Sequence, residues 1–307
     1  MQSFLTNIPV SSEIINLSKF GISGYSLVVK RDDLLHPFVS GNKFRKLKYN
    51  ILAAHEQKHH TLLTFGGAYS NHIAAVAAAG KEFGFNTIGI IRGEELEMKI
   101  LENPTLSFAK ACGMKLHFIS REAYKAKDDR EFTNKLRNQF GEFYLLPEGG
   151  TNALAIKGCE EILEENGAIA DYICVPVGTG GTMAGLVKAS NESQKVLGFS
   201  ALKGTFQSSE VAKYTSKTNF EIIDAYCFGG YGKIDIDLIR FINEFKEKTN
   251  IPLDPVYTGK MMYGIMDLLK KGYLKENSRI FAIHTGGLQG VAGMNLKLKN
   301  KNLPIIE

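Results

Sequence analysis

Lys43 sits in Ser40-Gly41-Asn42-Lys43-Phe44-Arg45-Lys46-Leu47-Lys48, shortly after the charged run Lys30-Arg31-Asp32-Asp33. The small, turn-prone Ser-Gly-Asn lead-in places an amine at the mouth of an expected helix. A lone lysine is usually a solvated surface charge. A lysine desolvated beside other cations has a lowered pKa, and its neutral amine can attack a carbonyl, form a Schiff base and carry a proton. Lys46 would share the same helix face one turn on. By itself it reads as a solvated helix charge.

Two Gly-rich turns offer complementary chemistry. Gly178-Thr179-Gly180-Gly181-Thr182 follows the apolar run Asp171 to Val177 and opens an expected helix. Glycines allow close backbone approach, and a helix N-terminus presents unpaired N–H groups to an anion. Thr179 and Thr182 add hydroxyls. No Gly-Lys-Ser/Thr follows, so a Walker loop is excluded. Met183 stands where a dinucleotide fingerprint needs its third glycine, which disfavours a nicotinamide dehydrogenase. A single phosphate monoester is the economical ligand, and an ordinary strand-to-helix turn is the plain alternative. In Gly66-Gly67-Ala68-Tyr69-Ser70-Asn71, Ser70 and Asn71 suit helix caps, the commoner role. They could equally meet a carboxylate or a ring oxygen. An amine for a carbonyl and a loop for one phosphate together suggest pyridoxal 5'-phosphate.

Further candidates lie toward the C-terminus. In Asp254-Pro255-Val256-Tyr257-Thr258-Gly259-Lys260, Thr258 suits an N-cap, or its hydroxyl could meet a pyridine nitrogen. Tyr257 and Tyr231 (in Gly229-Gly230-Tyr231-Gly232) are loop tyrosines whose phenols can act as acid or base. Each alone is more often packing. His284-Thr285-Gly286-Gly287 reads as a capped turn at a strand end. His72 has no partner histidine at i±4, so no metal site is expected.

Short apolar runs alternating with helical patterns must position these residues. Strands are expected at Thr61–Phe65, Asn86–Ile91, Lys115–Ile119, Phe143–Leu146, Asp171–Val177, Val196–Ser200, Phe220–Cys227 and Arg279–His284. Helices are expected near His72–Phe83, Thr105–Ala111, Glu122–Phe140, Asn152–Glu165, Thr182–Ser190, Ser208–Thr215, Asp237–Lys248 and Lys260–Lys271. This alternation indicates an α/β protein with mostly parallel sheets. Ligands of open α/β sheets bind beyond the carboxyl ends of strands, where the Gly-rich turns after Phe65, Val177 and His284 all fall. Glu148-Gly149-Gly150-Thr151 reads as a junction between two halves.

The 307 residues, with 44% apolar, suffice for one large or two medium domains. A net charge of +5 is spread along the chain, with no basic arm, so no nucleic-acid partner is expected. Cys112, Cys159, Cys174 and Cys227 lie far apart, without C-x-x-C spacing, which disfavours disulfides and zinc and fits a reducing compartment. Met1 to Val10 lacks the pattern of a secretory leader, and no apolar run reaches membrane-spanning length. A soluble cytoplasmic protein is expected.

The Ser40-to-Leu47 segment resembles the cofactor-lysine motif of the 1-aminocyclopropane-1-carboxylate deaminase/D-cysteine desulfhydrase family. Gly66-Gly67-x-x-Ser70-Asn71-His72, Gly178 to Thr182, Gly229 to Gly232, Asp254 to Lys260 and His284 to Gly287 match that family in order. The resemblance spans nearly the whole chain. It implies a tryptophan-synthase-β-like fold type II, with two doubly wound, mostly parallel sheet domains. Residues 1–49 and 150–307 would form the large domain and 50–149 a smaller insertion. It implies that Lys43 carries pyridoxal 5'-phosphate as a Schiff base. Gly178, Thr179, Gly180, Gly181 and Thr182 would hold the phosphate with help from Lys46. Asn71 would meet the ring 3'-oxygen, Ser70 the substrate carboxylate and Thr258 the pyridine nitrogen. Tyr231 and Tyr257 would face the substrate. Homodimers are common in the family.

The cyclopropane-opening members typically carry glutamate where Thr258 stands, and the desulfhydrases carry threonine. A neutral hydroxyl is compatible with an unprotonated ring, which suffices for α-proton removal and loss of a good β-leaving group. Tyr69 replaces a usual glutamine, and Ala74-Ala75 replaces a more polar Arg-Gln pair, both near the expected carboxylate site. The expected function is a pyridoxal-phosphate lyase acting on a small amino acid, D-cysteine or a β-substituted relative. The product would be a 2-oxoacid with ammonia and sulfide. The alternatives are cyclopropane-carboxylate deamination, β-replacement or racemisation on the same cofactor, and a non-catalytic cofactor-binding protein.

Overall fold

The computed structural model describes residues 10–163 and 167–307. In chain order the first elements are β1 (Ser12–Ile15), β2 (Ser26–Lys30), α1 (Asn42–Glu56), β3 (Thr61–Gly66), α2 (Asn71–Phe83) and β4 (Asn86–Arg92). There follow α3 (Pro104–Ala111), β5 (Lys115–Ile119), α4 (Arg130–Phe140), β6 (Tyr144–Leu146), α5 (Ala153–Glu160), β7 (Tyr172–Val177) and α6 (Gly181–Ala189). The chain ends with β8 (Lys195–Ser200), α7 (Gln207–Ala212), β9 (Phe220–Ile223), α8 (Ile236–Thr249), α9 (Thr258–Lys270), β10 (Arg279–Ile283) and α10 (Gly290–Lys299).

Two sheets result. A six-stranded sheet has the order β1-β2-β10-β7-β8-β9 and is parallel except for the β1–β2 pair. A four-stranded, fully parallel sheet has the order β5-β4-β3-β6 and is built from the chain between residues 61 and 146. Apolar side chains cover both faces of the larger sheet. Leu27, Val29, Leu197 and Ile280 pack with α8 and α9, and Ile173, Val175 and Ile283 pack with α5 and α6. Strands buried on both faces read as continuous apolar runs, which is why β3 and β7 stand out in the sequence.

The helix α1 joins the two layers. Phe44, Leu47 and Ile51 lie in the core of the smaller sheet. Its other side meets α5 so closely that a side chain at Gly158 would sit 2.0 Å from the Arg45 carbonyl. Arg45 grips the fully buried Asp32 through two 3.2 Å bonds, and Lys48 donates to Glu161 at 2.7 and 2.9 Å. The helix ends where Lys58 turns left-handed at φ 58° and His59 N–H returns to Ala54 O at 2.9 Å.

Most expected elements are present, with informative differences. The helix expected over Glu122–Phe140 divides into a 3-10 turn at Ala123–Ala126 and α4, because Asp129 is extended at φ −81°, ψ 137°. The helix expected over Asn152–Glu165 is α5 followed by a 3-10 turn, Glu161–Leu163, and its last two positions lie outside the described residues. The strand expected to Cys227 ends at Ile223, and a turn takes its place. The strands β1 and β2 and the helix α10 carry no sequence signal that we read. The leader region read above lies, except for Val10, outside the described residues. All four cysteines are free. Among the described residues, no helix is long and apolar enough to cross a membrane.

Candidate active site

Turns at the carboxyl ends of β3, β7 and β10 converge with the start of α1 on a cleft of about 550 Å³. Lys43, Lys46, Ser70, Asn71, Gly178 to Thr182, Tyr231 and Tyr257 all line it. The structure thus brings together residues as far as 214 positions apart (Lys43 to Tyr257).

Lys43 is held at the cleft floor by a backbone clamp. Gly41 has φ 63°, and a Cβ there would lie 2.0 Å from Thr285 O. Gly41 N–H donates to Asp32 O at 3.0 Å and Asn42 N–H to Thr285 O at 3.2 Å. The Lys43 Nζ donates to Asn42 Oδ1 at 3.0 Å, and Asn42 Nδ2 donates to Thr182 Oγ1 at 2.8 Å. Asn42 therefore ties the amine to the Gly-rich turn after β7. Burial, with the nearby Lys46 charge adding to it, lowers the Lys43 pKa to about 7. At neutral pH much of this amine is unprotonated.

The Gly-rich turn offers a polar cradle. α6 starts at Gly180, which is left-handed at φ 85°, and no side chain caps the helix. Its first N–H groups point to the cleft end without a side-chain acceptor. A Cβ on Gly181 would lie 2.7 Å from Thr151 Oγ1 and 3.1 Å from Lys46 Nζ, so only glycine leaves this space open. Lys46 is buried, and burial lowers its pKa. It donates to Gly149 O at 3.0 Å and Thr151 Oγ1 at 3.1 Å, and the Thr151 and Thr179 hydroxyls are 2.7 Å apart. The junction read at Glu148 to Thr151 is thus also part of the site wall.

Across the cleft, Ser70 caps α2, its Oγ accepting from Ile73 N–H at 3.3 Å. Asn71 packs its amide against Gly287, where a Cβ would lie 2.9 Å from Asn71 Nδ2. His72 is 2% exposed and neither ring nitrogen has a hydrogen-bond partner. Burial, then the Lys43 and Lys46 charges, hold its pKa well below the usual range, so it is neutral. Tyr69 lays its ring on α10, filling space left by Gly293, with the Lys297 ammonium 4.2 Å from the ring centre. Ala74 and Ala75 are each 1% exposed, so this helix face has room only for small side chains.

Tyr231 and Tyr257 meet edge to face, with ring centres 6.1 Å apart. Burial raises the Tyr257 pKa well above the usual phenol range, and Tyr231 and Asp254 add to the rise. Its phenol keeps its proton at neutral pH.

Thr258 does not line the cleft. It is fully buried, and its hydroxyl donates to Asp254 Oδ1 at 2.8 Å and accepts from Asp254 N–H at 2.9 Å. A carboxylate only accepts, so the Thr258 proton belongs to Asp254 and one lone pair remains for another group. Asp254 is also the cap of α9, accepting from Val256, Tyr257 and Thr258 N–H. The sequence reading gave Asp254 no role, because an aspartate four residues before the helix start lies outside the usual capping position. It also missed Asn42 and Thr151, whose partners lie more than 100 positions away.

The profile of the pyridoxal-phosphate dependent enzyme family matches residues 9–286. A putative 1-aminocyclopropane-1-carboxylate deaminase from Pyrococcus furiosus is 33% identical, covering 90% of this chain and 88% of the relative. A bifunctional D-cysteine desulfhydrase/1-aminocyclopropane-1-carboxylate deaminase, mitochondrial, from Arabidopsis thaliana is 30% identical over 88% of this chain and 74% of its own. A crystal structure of an ACC deaminase homologue superposes with a TM-score of 0.81 at 29% identity, covering 96% of this chain and 94% of the other.

Proposed function

The chain belongs to the pyridoxal-phosphate dependent enzymes, in the 1-aminocyclopropane-1-carboxylate deaminase/D-cysteine desulfhydrase group, and from that premise we propose that it catalyses β-elimination from D-cysteine or a similar β-substituted amino acid. The observation that carries the reading is one cleft holding a lysine of pKa about 7 together with an uncapped helix start, a buried second ammonium and a serine–asparagine helix end.

These residues fit pyridoxal 5'-phosphate. The cradle at Gly178 to Thr182, open only because Gly181 lacks a side chain, suits a phosphate, with Lys46 as its nearby cation. Lys43, linked to that turn through Asn42, would be the covalent anchor. Asn71 would serve the ring oxygen. Thr258, whose proton is given to Asp254, has only a lone pair left, so it would accept from a protonated ring nitrogen and could not serve the unprotonated ring expected from the sequence. When bound, the cofactor supplies an electron sink that makes the substrate α-proton removable.

The chain's own groups do the rest. The Ser70 hydroxyl and the start of α2 bind the substrate carboxylate. Lys43, whose neutral amine is favoured by burial, would take the substrate α-proton when it is not bound to the cofactor. Tyr257 is the weaker candidate base because its phenol stays protonated. The Lys43 ammonium would then return its proton to the departing sulfur, which leaves as hydrogen sulfide. Tyr231 and Tyr257 orient the leaving group. In sum, D-cysteine and water give pyruvate, ammonia and hydrogen sulfide.

The test is parallel assay of purified, cofactor-loaded protein with D-cysteine, L-cysteine and 1-aminocyclopropane-1-carboxylate. Sulfide and pyruvate from D-cysteine support the reading. Release of 2-oxobutyrate from the cyclopropane without sulfide from D-cysteine replaces it with deamination.

A further inference from the structure

Lys260 is 1% exposed and lies in the interior of the larger lobe, one turn into α9. Its Nζ donates to two backbone carbonyls, Cys227 O and Gly230 O, each at 2.8 Å. No carboxylate forms an ion pair with it among the described residues. Burial lowers its pKa to about 8, against the weaker pull of Asp254 and Asp235. A buried cation with only carbonyl partners is costly, so its place calls for a physical reason.

That reason is the turn it holds. Phe228, Gly229 and Gly230 have φ of 50°, 85° and 117°, three successive left-handed residues of which one is a bulky aromatic. Such a conformation costs about 1–2 kcal/mol at Phe228 and persists only where the surroundings impose it. Gly230 N–H closes the turn on Cys227 O at 2.9 Å, and Lys260 takes the carbonyls at both its ends. The next residue is Tyr231. A single face of α9 organises the whole arrangement. Tyr257, at its start, meets Tyr231 at 6.1 Å, Lys260 holds the turn, and Tyr263 meets Phe228 edge to face at 5.0 Å. Residues at this three-residue spacing share one helix side.

We propose that Lys260 is a positioning residue that sets the Tyr231 phenol against Tyr257 in the reacting geometry. The inference rests on the β-elimination or deamination reading, in which Tyr231 faces the substrate. Lys260 does not touch the cleft and acts only through the turn.

The experiment is a double-mutant cycle on cofactor-loaded enzyme, with whichever of D-cysteine or 1-aminocyclopropane-1-carboxylate it turns over. Tyr231→Phe and Lys260→Met are each expected to lower kcat by roughly a hundredfold, the size of a lost or misplaced orienting contact. The double variant should be no slower than Tyr231→Phe, because both changes remove one function. The cofactor absorbance band should stay in place, and Lys260→Gln, which restores an N–H donor, should recover part of kcat. Multiplied losses in the double variant overturn the inference. So does an unchanged kcat in Tyr231→Phe or Lys260→Met. Loss of cofactor in both Lys260→Met and Lys260→Gln also overturns it, by making the role purely structural. Wild-type protein without a cofactor band or turnover refutes the functional reading beneath it, and is thereby told apart from failure of the inference alone.

Discussion

The Lys43 amine should form its imine with pyridoxal 5'-phosphate near neutral pH, where an ordinary lysine scarcely reacts. Burial and Lys46 lower its pKa from 10.5 to about 7. At pH about 7.5 roughly three-quarters of such an amine is neutral, against about one part in a thousand for an unperturbed lysine. The assay mixes cofactor-free protein with pyridoxal phosphate and follows imine absorbance in a stopped-flow instrument across the pH range. The rate should rise and then level with a midpoint near 7. A free alkylamine run in parallel removes the cofactor's own titration, and Lys43→Ala should give no imine at the site. Lys46→Met should move the midpoint upward, because a neighbouring cation no longer disfavours the ammonium. A wild-type rate still rising about tenfold per pH unit through pH about 9 would refute the reasoning.

Gly41→Ala should prevent stable cofactor loading, since its methyl group would press on Thr285 O at 2.0 Å from a left-handed backbone, and a destabilisation above roughly 3 kcal/mol should appear in chemical denaturation. Thr258→Val leaves the buried Asp254 N–H and one carboxylate bond without the hydroxyl, so it should cost about 2–3 kcal/mol, whereas Thr258→Ser should cost much less. Three desolvated lysines should each add stability to the cofactor-free protein as pH rises from about 8 toward 10, against Cys159, Cys174 and Tyr257, whose pKa values, raised by burial, pull the other way. Lys43, Lys46 and Lys260 all have folded pKa values below 10.5, so the unfolded chain binds more protons at these sites in this window. Denaturant midpoints of wild type and Lys260→Met at the two ends of the window isolate the sign, and a wild-type change no more positive than the variant's contradicts the burial of Lys260.

Much of the site was legible before the structure. Local pattern showed the strands β3 and β7, the glycine turns after them, the amine at the start of α1 and the tyrosine-bearing turns. These are written in neighbouring residues: apolar runs, turn-forming glycines and helix starts. The short edge strand β1, its neighbour β2 and the helix α10 were not legible, because their patterns are brief and their positions depend on pairing with β10 and packing on α3 and Tyr69.

The residue types alone pointed to an amine for a carbonyl and a cradle for one phosphate. Tertiary structure decided what those groups can do. Desolvation and Lys46 lower the Lys43 pKa, and its amine is tied through Asn42 to Thr182, 140 positions from Asn42. Thr258 read as a helix cap or a partner for a pyridine nitrogen in the sequence, and the fold gives its proton to Asp254. Lys260 was given no role in the sequence, but the fold buries it against the carbonyls of the turn that precedes Tyr231. Protonation state and hydrogen-bond direction follow from dielectric surroundings and partners that a linear sequence does not bring together.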